Sequence, residues 1–202
     1  MMQFHKTTRI LLTVAIVVSV ALMMGRGIAV ADNLTEKNDA LVIETNKGDP
    51  VPEFTLENMK GEKVSMNDFR GGALVLGIAF FPEGEKAIRN MEEYRKSVIS
   101  DFKGKGLSFL KVLEINKPVF MKKKFILSKM AKQLEGIPGA QKNTLIDWGG
   151  ALNLYEKFGI KDRKVPALFV IGKEGEIVYA FQGWHSMGNQ DMLNNELKNI
   201  VK

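Results

Sequence analysis

The side chains that could do chemistry in this chain are few, and cysteine is not among them. The 202 residues include 0 Cys, 2 His and 23 Asp or Glu residues. Without a thiol, the chain cannot carry thiolate catalysis, a zinc site with cysteine ligands or an iron–sulfur cluster. The stability of the chain must come from core burial rather than from disulfides.

His185 follows Trp184 and precedes Ser186 in a segment with the composition of a loop. A metal site needs several ligands, and no cluster of histidines or carboxylates surrounds His185 at ligand spacing. A triad with Ser186 is disfavoured because adjacent loop residues rarely face each other productively. We therefore expect His185 to be an exposed loop residue, and we predict no metal and no cofactor.

Three carboxylates are candidates for acid–base chemistry. Glu83 and Glu85 stand at the start of a predicted helix, and Asp147 ends a predicted strand. Carboxylates at a helix N-terminus also stabilise the helix, which is the simpler role for the two glutamates. The sequence contains no paired acid and base, so an enzyme built on these carboxylates is the alternative interpretation.

Lysines surround an apolar segment in the middle of the chain: Lys117, Lys122, Lys123, Lys124, Lys129 and Lys132. Such a segment can be an ordinary amphipathic helix with a solvated basic face. It can also contact an acidic partner or an anionic membrane surface, in which case Lys122, Lys123 and Lys124 are the expected contacts.

Residues 1–31 have the pattern of a secretory signal peptide. Lys6 and Arg9 form a positively charged n-region, residues 10–24 are apolar, and Ala29-Val30-Ala31 supplies the small residues of a cleavage site. The apolar run is shorter than the ~20 residues that span a bilayer. We expect cleavage after Ala31 and export, in a bacterium to the periplasm.

The leader also accounts for part of the positive charge. The net charge of +6 includes Lys6, Arg9 and Arg26, so the charge gives no case for nucleic-acid binding. Arg26 lies inside the cleavage region, which leaves an uncleaved N-terminal membrane anchor as the alternative. The predicted organisation is a signal peptide at 1–31, an extension at 32–47 and one domain at 48–202.

Strands and helices alternate along most of the chain. Strands are predicted at 40–43, 73–81, 107–115, 143–147, 166–171 and 176–181, a hairpin at 54–66, a short helical turn capped by Asn67, and helices at 85–102, 119–134, 151–158 and 189–201. The apolar run at 73–81 suits a central strand covered on both faces. The alternation predicts an α/β fold with a mixed sheet whose last hairpin is antiparallel.

Two strings, in the correct order, carry a family resemblance. GDPVPEFTLENMKGEKVSMNDFRGGALVLGIAF at 48–80 and ALNLYEKFGIKDRKVPALFVIGKEGEIVYAFQG at 151–183 resemble thioredoxin-like redoxins of the alkyl hydroperoxide reductase and TlpA/ResA type. The resemblance covers 48–202 and implies a three-layer α/β/α sandwich with a mixed central sheet and an N-terminal β-hairpin. The chain also resembles the exported YtfJ-like group, which lacks the dithiol. The helix predicted at 119–134 is the insertion that fits this resemblance.

In that family a Trp-Cys-x-x-Cys turn follows the first core strand. The resemblance places the corresponding positions at Gly84, Glu85, Lys86 and Ala87, so the redox chemistry does not carry over. The resemblance also implies that Pro166 is cis, which exposes the backbone of Val165 to an extended partner.

We therefore expect an exported thioredoxin-fold protein without dithiol redox activity that acts as a binding or accessory module. A protein is the expected partner, and the expected contact residues are Phe81, Pro82, Val165, Pro166 and Trp184. The alternatives are a cysteine-independent enzyme and a membrane-tethered assembly factor on the same fold.

Overall fold

The computed structural model describes residues 40–43, 47–81, 83–116 and 123–201. The predicted signal peptide, Pro82, Lys117 and Lys122 lie outside the described residues, as does the side chain of Glu85. The strands are β1 (Leu41–Val42), β2 (Thr55–Asn58), β3 (Lys63–Ser65), β4 (Ala73–Phe81), β5 (Leu107–Ile115), β6 (Thr144–Trp148), β7 (Ala167–Ile171) and β8 (Ile177–Gln182). The helices are α1 (Glu85–Asp101), α2 (Lys123–Gln133), α3 (Leu154–Lys157) and α4 (Met187–Ile200). None of the helices in these ranges is both long and apolar enough to cross a membrane.

The strands form one 8-stranded mixed sheet in the order β1-β8-β7-β4-β5-β6-β2-β3. Strand β4 lies inside the sheet, parallel to β5 and antiparallel to β7. Strands β2 and β3 form the expected N-terminal hairpin, and β7 and β8 form the terminal antiparallel pair. The predicted thioredoxin-like α/β fold is confirmed.

Alternate residues of β4 enter two separate cores, one on each face of the sheet. Leu76 and Ile78 pack into the core beneath the β2–β3 hairpin and α3. Val75 and Ala79 pack into the core beneath α1 and α4. A Cβ on Gly77 would overlap the sulfur of Met91, so this glycine allows α1 to approach β4 closely.

Three local predictions need correction. The short helical turn is a 3-10 helix (Met66–Phe69) capped by Ser65 rather than by Asn67, because the Ser65 hydroxyl accepts from the Asn67 N–H and Asp68 accepts from the Ser65 N–H. Helix α3 is shorter than the predicted 151–158. Helix α4 begins at Met187 because Ser186 accepts from the Asn189 N–H and caps it.

A buried charge cluster fixes α1 to β5. The Lys111 Nζ donates to Glu92 Oε2 at 2.6 Å, and the Arg95 Nε donates to Glu92 Oε1 at 2.5 Å. Lys111 is 1% exposed, Glu92 7% and Arg95 8%. Burial lowers the pKa of Lys111, and the hydrogen bond that its ammonium donates to Glu92 opposes that shift. One carboxylate therefore compensates two buried cations.

Because Glu92 is the anion that both cations share, its removal should lower the free energy of unfolding far more than removal of either cation. Glu92→Gln leaves two buried cations unpaired and should lower the free energy of unfolding by about 3–5 kcal/mol. Lys111→Met leaves a balanced Glu92–Arg95 pair and should leave stability equal or higher. Urea unfolding followed by circular dichroism measures both variants. Equal losses would contradict the shared-anion arrangement.

Candidate functional site

The turn after β4 leads directly into α1, where the family resemblance places the degenerate redox positions. Gly84 is the N-cap of α1, and its N–H donates to the Phe80 carbonyl at 2.6 Å. Lys86 is exposed, whereas Ala87 is 0% exposed and packs in the core beneath α1. The turn therefore presents Lys86 to solvent and hides Ala87.

No side chain larger than hydrogen fits at position 84 without movement of the backbone. A Cβ on Gly84 would lie 2.8 Å from the Phe80 carbonyl oxygen and 2.8 Å from the Arg163 carbonyl oxygen. Contacts that short are repulsive, and both neighbours are backbone atoms, which cannot swing away as a side chain can. The turn and the loop that precedes β7 thus touch at Gly84.

Gln182 on β8 holds the loop that contains Val165 and Pro166. Its Oε1 accepts from the Lys161 N–H at 2.6 Å, and its Nε2 donates to the Asp162 carbonyl at 2.7 Å. Gln182 is 3% exposed, so these bonds are shielded from water. Within the described part of the chain, no group accepts a hydrogen bond from the Val165 N–H. Gln182 thus fixes a loop whose Val165 N–H has no acceptor among the described residues.

Trp184 is fixed to α1 rather than to the turn. Its carbonyl accepts from the Tyr94 hydroxyl at 2.9 Å and from the Asn189 amide at 2.8 Å. Burial raises the pKa of Tyr94, which keeps the hydroxyl protonated as a donor. The predicted contact residues Phe81 and Trp184 both pack against the core beneath α1.

The expectation that His185 is exposed is wrong. Its ring packs edge-on against Tyr94 with centroids 4.9 Å apart, and its backbone N–H donates to Asn90 Oδ1 at 2.6 Å. Its Nε2 is buried with no partner among the described residues. His185 is half-buried because the loop before α4 lies against α1, a contact that local sequence does not indicate.

Sequence reasoning named Asp147 but missed Glu114, with which it forms a buried acidic pair at the carboxyl ends of two parallel strands. Glu114 on β5 and Asp147 on β6 are neighbours in register, and they are 1% and 2% exposed. Burial raises the pKa of both carboxyl groups. The Arg163 Nη1 lies 3.7 Å from Glu114 Oε1, while its guanidinium covers the rings of Phe80 and Tyr155 at 5.1 and 4.7 Å. Each carboxylate lies one residue before the end of its strand. This shared position is the sequence signal that could have indicated the pair.

The two carboxylates of the acidic pair accept hydrogen bonds from backbone N–H groups in the segment that follows β6. Asp147 Oδ2 accepts from the Leu152 N–H at 3.1 Å, and Glu114 Oε2 accepts from the Leu154 N–H at 3.2 Å. A Cβ on Gly150 would approach Glu114 Oε1 to 3.0 Å, and the φ of Gly150 is +66°. Helix α3 begins only at Leu154 because Asn153 before it has a left-handed backbone conformation, with a φ of 49°. Buried carboxylates bonded to their own chain position a loop and have no free access to a substrate.

Comparison of the sequence with known protein families identifies the family of this chain. Residues 47–180 match the AhpC/TSA family. The chain belongs to the AhpC/TSA family. Among curated proteins, none matches the sequence significantly.

Solved structures of this fold include several thiol–disulfide proteins. A putative thiol:disulfide interchange protein DsbE from Chlorobium tepidum has a TM-score of 0.59 and 19% identity, covering 78% of this chain and 99% of its own. The exposed lipoprotein thioredoxin of Streptococcus pneumoniae has a TM-score of 0.53 and 18% identity, covering 73% and 99%. BsSco, of the Sco family of cytochrome c oxidase assembly proteins, has a TM-score of 0.53 and 15% identity, covering 80% and 98%. These likenesses establish the fold, and this AhpC/TSA member has that fold with 0 Cys.

The close approach at Gly84 predicts opposite effects for two glycine substitutions. Gly84→Ala should lower the free energy of unfolding by about 1–3 kcal/mol because the Cβ meets two carbonyl oxygens. Gly188→Ala, in the first turn of α4 where nothing lies within 4 Å, should raise it by up to about 1 kcal/mol. Thermal and urea unfolding measure both. An unchanged free energy of unfolding in the Gly84→Ala variant would show that the turn is not closed.

The acidic pair predicts a definite pH dependence. A carboxyl whose folded pKa is raised stabilises the protein below its unfolded pKa, and that stabilisation is lost as pH rises through the folded pKa. The ordinary values are 3.8 for Asp147 and 4.5 for Glu114, so the loss begins above these values. The stability of the Glu114→Gln/Asp147→Asn variant relative to wild type should therefore increase from pH 4 to 8. Urea unfolding at each pH measures the stability of both proteins. A difference in the free energy of unfolding that stays constant from pH 4 to 8 would contradict the raised pKa values.

Proposed function

We propose that this protein is an exported thioredoxin-fold member of its family that lacks dithiol redox activity and binds a partner protein. The proposed contact surface is the turn from Phe81 to Ala87 together with the Val165-Pro166 loop. The observation that carries the proposal is the Gly84–Arg163 contact, which makes turn and loop one continuous surface. Beside it lies the Val165 N–H, which has no acceptor among the residues that the structure describes. A free backbone donor on a rigid loop can pair with an extended peptide.

The closed turn supports recognition rather than electron transfer. A thiol reaction requires a reachable sulfur, and the chain has 0 Cys. The positions that the resemblance assigns to the two sulfurs are also closed to solvent, since a Cβ on Gly84 would meet two carbonyl oxygens and Ala87 is 0% exposed. Pro166 is buried, and the proposed cis geometry would fix the direction of the Val165 backbone.

Export and a domain at 48–202 are part of the proposal. The support is the signal-like pattern of residues 1–31 and the name of one structural neighbour, an exposed lipoprotein. An anchored assembly factor is the second candidate, and it is favoured by the likeness to BsSco, a member of a family of cytochrome c oxidase assembly proteins. A cysteine-independent enzyme using Asp147 gains no support, because Asp147 is 2% exposed and bonded to Leu152.

Site-specific photo-crosslinking in the exported fraction tests the proposed surface. A photoreactive side chain replaces Lys86 or Val165, and Lys173 is the matched control. Lys173 is also an exposed lysine, but its carbonyl accepts from the Gly71 N–H at the opposite end of β4. We expect the same discrete adduct from positions 86 and 165 and none from 173.

Two crosslinking outcomes would contradict the proposal. Adducts of equal yield from all three positions would mean non-specific contact, and no adduct from 86 or 165 in folded protein would mean that this surface binds no partner. Adducts found with membrane-retained protein alone would favour the anchored assembly factor instead.

A further inference from the structure

A cavity of about 220 Å³ lies between α1, α2 and β5. It is on the opposite face of the sheet from the Glu114–Asp147 pair, since Leu113 and Ile115 face it while Glu114 points the other way. Apolar side chains form most of its wall, among them Ile88, Leu113, Ile115, Ile126 and Met130. Apolar cavities of this kind bind apolar parts of small molecules.

Basic groups accompany the apolar wall. Arg89, Lys111 and Lys129 line the cavity, and no acidic side chain is among the described residues that line it. Arg89 and Lys129 are exposed and lie at the mouth, whereas Lys111 is 1% exposed and lies inside. The charge at the cavity is therefore positive from mouth to interior.

Lys111 has unused hydrogen-bonding capacity. An ammonium group carries three N–H donors, and the acceptor found for Nζ in the described part of the chain is Glu92. The buried group of Lys111, Glu92 and Arg95 carries two cations and one anion. A buried excess cation with free donors is unfavourable without an added acceptor, and an anionic ligand would supply both charge and acceptor.

We propose that this cavity binds a small amphiphilic monocarboxylate, a short fatty-acid anion. Its carboxylate accepts from the Lys111 Nζ, and its chain lies against Ile88, Ile126 and Met130. A ~150 Å³ apolar cavity holds benzene, so this one suits a chain on the order of six to eight carbons. Arg89 and Lys129 favour entry of the anion through the mouth.

This inference does not depend on partner binding at the turn, although Phe81 borders both surfaces. Loss of crosslinks at Lys86 and Val165 would overturn the proposed function and leave this site unaffected. The ligand test below uses purified full-length protein without any partner. The two proposals therefore fail separately.

Calorimetric titration with sodium octanoate, 1-octanol and octylammonium tests the ligand class. The three probes share the chain and differ in the head group. We expect saturable binding of octanoate, at least tenfold weaker binding of octanol, and no binding of octylammonium. This comparison on the wild-type protein needs no substitution.

Variants then locate the site. Lys111→Met should weaken octanoate binding at least tenfold, and Met130→Trp should weaken both octanoate and octanol by filling the cavity. Lys132→Met is the matched control, because Lys132 is an exposed lysine of α2 that does not line the cavity, and it should bind as wild type does.

Three results would overturn the proposal. These are no saturable octanoate binding, octanol binding as tight as octanoate, and unchanged octanoate affinity in both Lys111→Met and Met130→Trp. Circular dichroism establishes that each variant is folded before titration, and the wild-type probe series decides the case if a variant does not fold.

Discussion

The turn that leaves β4 crosses the loop in front of β7 so closely that only a hydrogen fits between them. The Phe80 and Arg163 carbonyls are both 2.8 Å from the place where a Cβ on Gly84 would lie. This contact fixes where α1 begins, and it holds the loop of Val165 against the turn. The Arg163 side chain lies over Phe80 and 3.7 Å from Glu114, and it thereby connects the turn to the acidic pair.

Strand β5 distributes charge to the two faces of the sheet by simple alternation. Lys111 and Glu114 are three residues apart, so they point to opposite faces. Lys111 joins Glu92 and Arg95 beneath α1, where cations are in excess. Glu114 joins Asp147 beneath α3, where carboxylates are in excess and bind loop N–H groups. One strand thus supplies a group that suits an anionic ligand and a group that orders the end of the sheet.

Local sequence predicted the elements that depend on local pattern. The apolar run at 73–81 became β4, and the helical spacing after Gly84 became α1. It did not predict features set by register or by packing of distant segments. The Glu114–Asp147 pair depends on the alignment of β5 with β6, and the burial of His185 depends on Asn90 and Tyr94, about 90 residues earlier. The closed space at Gly84 depends likewise on the carbonyl of Arg163, which no pattern around Gly84 indicates.

The central claim is that the turn where the family resemblance places the degenerate redox positions is closed, in addition to the chain having 0 Cys. The most direct measurement is the native-state labelling rate of a thiol introduced by Ala87→Cys, compared with Lys86→Cys on the exposed side of the same helical turn. A buried thiol reacts only after local opening, so the account predicts labelling on the order of a hundredfold slower for Ala87→Cys. Equal labelling rates in folded protein would show an open turn and would contradict the account.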